Sequence, residues 1–272
     1  MARSDFWDAI KNNASITKLI TRAMDSIDKS KRDSIASLDR LVALDFVHVG
    51  MHDLDEEHIS LAPQVTQLTE LAISVRGSLL SDLGCLTNLV LLKLRVCLDF
   101  DCSLDETLVL LPCLEKVAIQ GAGRSFLRFF PVARSKPKTF SLSSRALLES
   151  KQLKSLSLDS VAVNEFFFQE LSSMAKLTKF EFEKAEEQVC EQSTISQIHR
   201  LERLEELKLS LGDQNLMCSF LSPKYLPRLT KLTVRTSEEM EDSLRRRFAC
   251  RPQILINGAK HSHWRRRPST MF

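Results

Sequence analysis

His48, His52 and His58 lie close together in the chain, with Glu56 and Glu57 beside them, a set of side chains that could ligate a metal. A zinc site needs its ligands to converge at about 2.0–2.2 Å. His48 is expected to end a strand and His58 to sit on a helix across the molecule, so these residues read as structural. Ser141, Ser143 and Ser144 offer hydroxyls, but no nearby histidine could activate them. Gly121-Ala122-Gly123 follows an expected strand, yet it lacks the third glycine, or the Gly-Lys, that a phosphate loop needs, and it reads as a turn. Neither H-E-x-x-H nor G-x-S-x-G occurs, and Glu186-Glu187 reads as a solvated helix start rather than a catalytic carboxylate pair. No catalytic residue, cofactor or metal is assigned, and the expected class is a non-enzymatic binding protein.

The chemistry that does stand out is positive charge. From Arg124 to Lys154 there are eight basic residues, Arg124, Arg128, Arg134, Lys136, Lys138, Arg145, Lys151 and Lys154, against Glu149 alone. Phe126, Phe129, Phe130 and Phe140 are interleaved with them. A second group comprises Lys93, Arg95 and Lys116, with Arg76 near a turn. The candidate partner-binding set is Arg76, Lys93, Arg95, Lys116, Arg128, Arg134, Lys136 and Lys138. Such a surface would steer an acidic partner and make its on-rate salt-sensitive. No recognisable nucleic-acid fold accompanies it, so an acidic protein segment is favoured over nucleic acid. The competing reading of residues 124–154 is a degenerate repeat with core phenylalanines and solvated charges.

These residues are positioned by a repeat. The pattern apolar, two variable, apolar, one variable, apolar recurs at Ile16-Leu19-Thr21, Leu41-Leu44-Phe46, Leu68-Leu71-Ile73, Leu89-Leu92-Leu94 and Leu114-Val117-Ile119. A poor copy at Pro137-Phe140-Leu142 follows, then Leu153-Leu156-Leu158, Leu177-Phe180-Phe182, Leu204-Leu207-Leu209 and Leu229-Leu232-Val234, and a degenerate Arg251-Ile254-Ile256. The starts are 25, 27, 21, 25, 23, 16, 24, 27, 25 and 22 residues apart, so the register fails once, between Pro137 and Leu153. The last two apolar residues of each copy face one side of a short strand. One strand cannot bury that face alone, so neighbours must stack, and the returning connections make them parallel. Eleven strands about 4.8 Å apart would make a sheet on the order of 50 Å long.

The connections read as helical, for example Asn164 to Lys176 and Glu186 to Arg203, whose apolar residues recur at three and four. Ser103-Leu104-Asp105-Glu106 and Thr236-Ser237-Glu238-Glu239 match capping boxes. Of Phe166, Phe167 and Phe168, only two can face the core at once.

With this motif and spacing the chain resembles the leucine-rich-repeat superfamily over roughly residues 14–257. The resemblance implies an α/β horseshoe, a solenoid with a parallel sheet on its concave face and helices on its convex face, acting by protein–protein recognition on the concave side. The family's usual asparagine after the motif is missing. Its place is taken by Val49, Arg76, Cys97, Ala122, Val161, Ala185, Gly212 or Ser237, which points to irregular turns.

On the exposed side of the later strands, Lys179–Glu206–Lys231, Glu181–Lys208–Thr233 and Glu183–Ser210–Arg235 should line up and neutralise one another. Residues 1–258 are expected to form one repeat domain. Asp5 to Asn13, with Phe6, Trp7 and Ile10, would cap its start; Glu238 to Cys250 and the strand at Ile254 to Ile256 would cap its finish. Residues 259–272 form a basic tail, expected to be disordered. Its Lys260, Arg265, Arg266 and Arg267 supply the net +3, for without them 34 basic residues face 35 acidic ones. The basic run resembles a nuclear-targeting signal, and Arg266-Arg267-Pro268-Ser269 a basophilic kinase site.

The cysteines are seven, an odd number, with no C-x-x-C pair, and most lie beside leucines. They are expected to be reduced, which fits a cytoplasmic or nuclear protein. The opening residues lack the apolar core of a signal peptide, and no run approaches a membrane span. The expected function is a protein-interaction scaffold or adaptor. The alternatives are a substrate receptor of a ubiquitin ligase, although an F-box is not visible, and a recognition fragment of an immune-type receptor.

Overall fold

Extended chain places every second residue on one side, and the L-x-L end of each copy therefore becomes a strand with one apolar face. The computed structural model describes residues 4–11, 13–22, 29–48, 63–75, 81–96, 105–121, 141–142, 150, 152–163, 167–184, 196–211, 221–234, 238–251 and 255–258. The first half contains α1 (Ser4–Ile10), β1 (Lys18–Arg22), α2 (Lys29–Ala36), β2 (Ala43–His48), β3 (Glu70–Val75), β4 (Leu91–Val96), α3 (Asp105–Val109) and β5 (Lys116–Gly121). The second contains β6 (Ser141–Leu142), β7 (Ser155–Val163), α4 (Phe167–Leu171), β8 (Lys179–Lys184), β9 (Glu206–Ser210), β10 (Lys231–Val234), α5 (Glu238–Arg247) and β11 (Leu255–Gly258). All strand pairs are parallel. They form one sheet in the order β1-β2-β3-β4-β5-β7-β8-β9-β10-β11, with β6 attached to β7 off that path.

The register follows the leucines. Leu19, Leu44, Leu71, Leu92, Val117, Leu156, Phe180, Leu207 and Leu232 stand opposite one another in successive strands. Each is at most 6% exposed, and full burial of such a side chain contributes roughly 1.5–3 kcal/mol. Beneath this column runs a ladder of backbone rungs. The carbonyls of Thr17, Val42, Thr69, Val90, Glu115, Lys154, Thr178 and Glu205 each accept two N–H groups from the next repeat, at 2.7–3.1 Å. The hydroxyls of Thr69, Thr178 and Thr230 donate to the same carbonyls as their own N–H groups.

Three expectations need correction. First, the copy at Pro137-Phe140-Leu142 is not a rung. Glu115 and Lys154, 39 residues apart, are consecutive in the ladder, and β5 pairs directly with β7. Among the described residues of this stretch, Ser141 and Leu142 pair with Ala162 and Val163 at the far end of the long strand β7. The failure of register at spacing 16 is thus a single oversized connection, and the strands in series number ten rather than eleven. Second, the final copy is shifted by two residues: Leu232 faces Ile256, not Ile254. A shift of two preserves which face each side chain points to, so the leucine-rich pattern alone could not distinguish the two registers.

Third, the described residues of the connections hold short helices and 3₁₀ turns. In place of long helices over Asn164–Lys176 and Glu186–Arg203, the described residues show α4, of five residues, and a 3₁₀ turn at Ser196–Arg200. The apolar spacing explains this. Leu83, Leu86 and Leu89, then Leu108, Leu111 and Leu114, then Ile198, Leu201 and Leu204 recur every third residue and are all buried. Successive N–H(i)→O(i−3) bonds join them, and at three residues per turn such side chains eclipse on one side. Phe167 and Phe168 are both buried; Phe167 packs edge-to-face on Phe168, which in turn packs edge-to-face on Phe182 of the sheet.

At the start, α1 packs Trp7 and Ile10 onto the core while Phe6 stays half exposed, edge-on to Trp7. At the finish, α5 buries Leu244, and Phe248 follows it into the core. The Arg251 guanidinium donates to the carbonyls of Leu226 and Pro227 at 2.8 and 2.9 Å, satisfying the last turn. Residues 259–272 lie outside the described residues.

The oversized connection sets a constraint at Gly121. β7 has a register irregularity between Asp159 and Val161, where Ser160 has φ 56°. The Ser160 carbonyl there would lie 2.3 Å from any Cβ placed on Gly121. The expected outcome of Gly121→Ala is a loss of about 2–3 kcal/mol, read from the urea midpoint. Removing residues 1–13 should uncover the first apolar rung and be seen as aggregation or a broadened thermal transition.

Candidate protein-docking face

The residues between the buried columns make up the open face of the sheet, and the strand register orders them into three columns. The first runs Lys18, Ala43, Glu70, Leu91, Lys116, Ser155, Lys179, Glu206, Lys231. The second runs Ile20, Asp45, Ala72, Lys93, Ala118, Ser157, Glu181, Lys208, Thr233. The third runs Ser74, Arg95, Gln120, Asp159, Glu183, Ser210.

The later half neutralises itself as the sequence led us to expect. Lys179 meets Glu181 at 3.0 Å and Glu206 at 3.6 Å; Lys208 meets Glu181 at 3.3 Å, and Lys231 meets Glu206 at 3.4 Å. Burial raises the pKa of Glu181, but the hydrogen bonds and charges of Lys179 and Lys208 outweigh it and hold the carboxyl below its ordinary value. The bond to Glu181 raises Lys179 in turn. At the lead-in turn, Lys154 donates to Glu115 at 2.6 Å and lowers that carboxyl. The expected third column reaches Glu183 and Ser210; Arg235 lies outside the described residues.

The earlier half is different. Lys93 and Lys116 are both exposed on β4 and β5, and neither forms an ion pair among the described residues. They are diagonal neighbours rather than direct partners: Lys116 faces Leu91, and Lys93 faces Ala118. Arg95, half-buried, faces Gln120. Gln120 donates to Asp159 at 3.0 Å, and Ser160 donates to the other oxygen of the same carboxylate. Arg76, Arg128, Arg134, Lys136 and Lys138 lie outside the described residues. Attention to charge missed the small residues. Ala72, Ala118 and Ser157 flank or follow Lys93 in the middle column, and the signal was available as the single variable position of each L-x-L.

Of the other candidates, His48 ends β2 as expected, while His52, His58, Glu186 and Glu187 fall outside the described residues. Among the described residues no group of three or more His, Cys, Asp or Glu could hold a metal ion. Among the same residues, no helix is long and apolar enough to cross a membrane. Cys113 and Cys250 are free thiols.

A repeating L-x-x-L-x-L unit, one parallel strand per unit and a continuous apolar column define the class: this chain is a leucine-rich-repeat solenoid. No family model and no curated protein matches the chain. Among solved structures it is similar to an internalin, InlF, from Listeria monocytogenes, at 16% identity and a TM-score of 0.28, over 89% of this chain and 86% of that one. It is also similar to TLR13 in its complex with ssRNA13, at 15% identity and a TM-score of 0.39, over 82% of this chain and 37% of that one.

The charge network carries a pH dependence of known sign. Glu181, with its folded pKa below the ordinary 4.5, contributes stability that is present above 4.5 and is lost as pH falls through the folded value. Lys179, raised above 10.5, contributes stability that is complete below 10.5 and is lost as pH climbs through its folded value. Partly exposed pairs contribute about 0–1 kcal/mol each. Glu181→Gln is expected to cost about 1 kcal/mol at pH 7 and to flatten the acid limb of a stability–pH curve measured by urea unfolding.

Proposed function

We propose that this protein is a non-catalytic interaction scaffold that holds an acidic segment of a partner protein against the open, concave face of its sheet, centred on Lys93 and Lys116. The observation that carries this reading is the contrast between the two halves of the face. The later lysines are committed to Glu181 and Glu206, whereas Lys93 and Lys116 stand beside Ala118 and Ser155. Cations with no ion-pair partner among the described residues focus the field outward and speed the encounter with an acidic partner. Arg95 belongs to the same surface. Arg76, one residue beyond β3, and Arg128, Arg134, Lys136 and Lys138, in the oversized connection between β5 and β7, would extend it. Solenoids present such faces for recognition because each added repeat lengthens the surface without changing its pattern.

A fluorescein-labelled poly-glutamate peptide, followed by anisotropy and stopped flow, tests the reading. The full chain should bind it, with an on-rate that falls as ionic strength rises from about 0.01 M to about 0.15 M and the Debye length shrinks from about 30 Å to about 8 Å. Lys93→Glu with Lys116→Glu should weaken binding at least tenfold, about 1.4 kcal/mol, with the melting curve unchanged. Arg134→Glu, Lys136→Glu and Lys138→Glu together should lower the salt sensitivity further. Equal affinity and equal salt dependence in the reversed variants would reject this face as the site.

A further inference from the structure

On this protein-binding reading, which it deepens, we propose that the open face over Ala118 is a site for a phosphorylated serine or threonine side chain of the partner. Ala118 occupies the middle of the open face of β5. Lys116 lies two residues before it on the same face of the strand. Lys93 is its registered neighbour on β4, and Ser157 its registered neighbour on β7. Ser155 stands opposite Lys116. Adjacent strands lie about 4.8 Å apart and same-face residues of a strand about 6.6 Å apart, so residues bearing two ammonium groups and two hydroxyls border Ala118, whose methyl is the floor between them.

The inventory matches a phosphoryl group better than a carboxylate. A phosphate monoester carries about −1.5 to −2 charge near pH 7 and three acceptor oxygens. Two lysines and two serine hydroxyls can satisfy both the charge and the acceptors, whereas a single carboxylate would leave one cation uncompensated. Neither serine side chain donates a hydrogen bond to another described residue. Of the acids near the site, Glu181 is held by Lys179 and Lys208 and Glu115 by Lys154. Asp159, hydrogen-bonded by Gln120 and Ser160, keeps its charge in the third column, which also holds Arg95. The small floor matters as much as the charge, because a leucine at position 118 would occupy the volume that the phosphoryl oxygens need.

The test uses the full chain and three immobilised peptide pools, identical except for phosphoserine, glutamate or serine at the fixed central position. The phosphoserine pool should be retained at least tenfold more strongly than the glutamate pool. Ala118→Leu, which changes no charge, should abolish that preference while keeping the weaker retention of the glutamate pool. Ser157→Ala should reduce the preference, and Lys93→Gln should reduce retention of both acidic pools. Circular dichroism melting confirms that each variant is folded. Equal retention of phosphoserine and glutamate pools overturns the phosphoryl site while leaving the acidic-partner reading standing. A preference that survives Ala118→Leu also overturns it, since the selectivity would then arise elsewhere. Retention of neither acidic pool rejects both.

Discussion

The structure depends on one interaction: the stacking of a strand that cannot bury its own apolar face onto the next strand in the same register. The column from Leu19 to Leu232 and the rungs from Thr17 to Lys231 express this constraint in side chains and in backbone. Each rung uses a carbonyl that lies just before one strand to accept both N–H groups at the start of the next, so a displaced repeat would break two hydrogen bonds and expose a leucine together. Such energetics are near-neighbour in character. The ends therefore need their own covers, which Trp7 and Ile10 provide at one side and Leu244 and Phe248 at the other.

The ladder also decides what the open face presents. Because parallel pairing is in register, the residue between two buried positions of one strand always meets its counterpart in the next. Where those counterparts are opposite charges, as in Lys179, Glu206 and Lys231, the face neutralises itself. Where they are alanine and serine, as around Lys93 and Lys116, it does not. The connection that follows β5 sharpens this contrast. Because β5 pairs directly with β7 and β6 pairs with the far end of β7, Ser155 and Ser157 stand directly beside Lys116 and Ala118. The same arrangement brings the Ser160 backbone against Gly121, which explains why a residue without a side chain ends β5.

The repeat was legible because burial imposes period two on a strand and a near-constant length on each return of the chain. Eight of the registers inferred from leucines hold, from Leu19 opposite Leu44 to Leu207 opposite Leu232, once the copy at Pro137 is passed over. The charge pairing of the later columns was legible for the same reason, since register converts sequence positions into neighbours. The helix over Asn164–Lys176 was overread, and the described end of Glu186–Arg203 is a 3₁₀ turn. Apolar residues at three-residue intervals resemble an α-helical stripe over a short window, and only the hydrogen-bond pattern separates a 3₁₀ turn from an α-helix.

The sequence by itself determined the fold class, the buried columns and the position of every lysine and glutamate on the open face, because these follow from local alternation. The tertiary structure decided which copies are consecutive, since pairing β5 with β7 across 39 residues depends on contacts that no local pattern encodes. It decided the final register at Ile256, because a shift of two residues leaves the alternation unchanged. It also decided that Ala118 lies between Lys93 and Ser157. The L-x-L motif marks position 118 as facing the open side, but which residues border it follows only from the pairing of β4, β5 and β7.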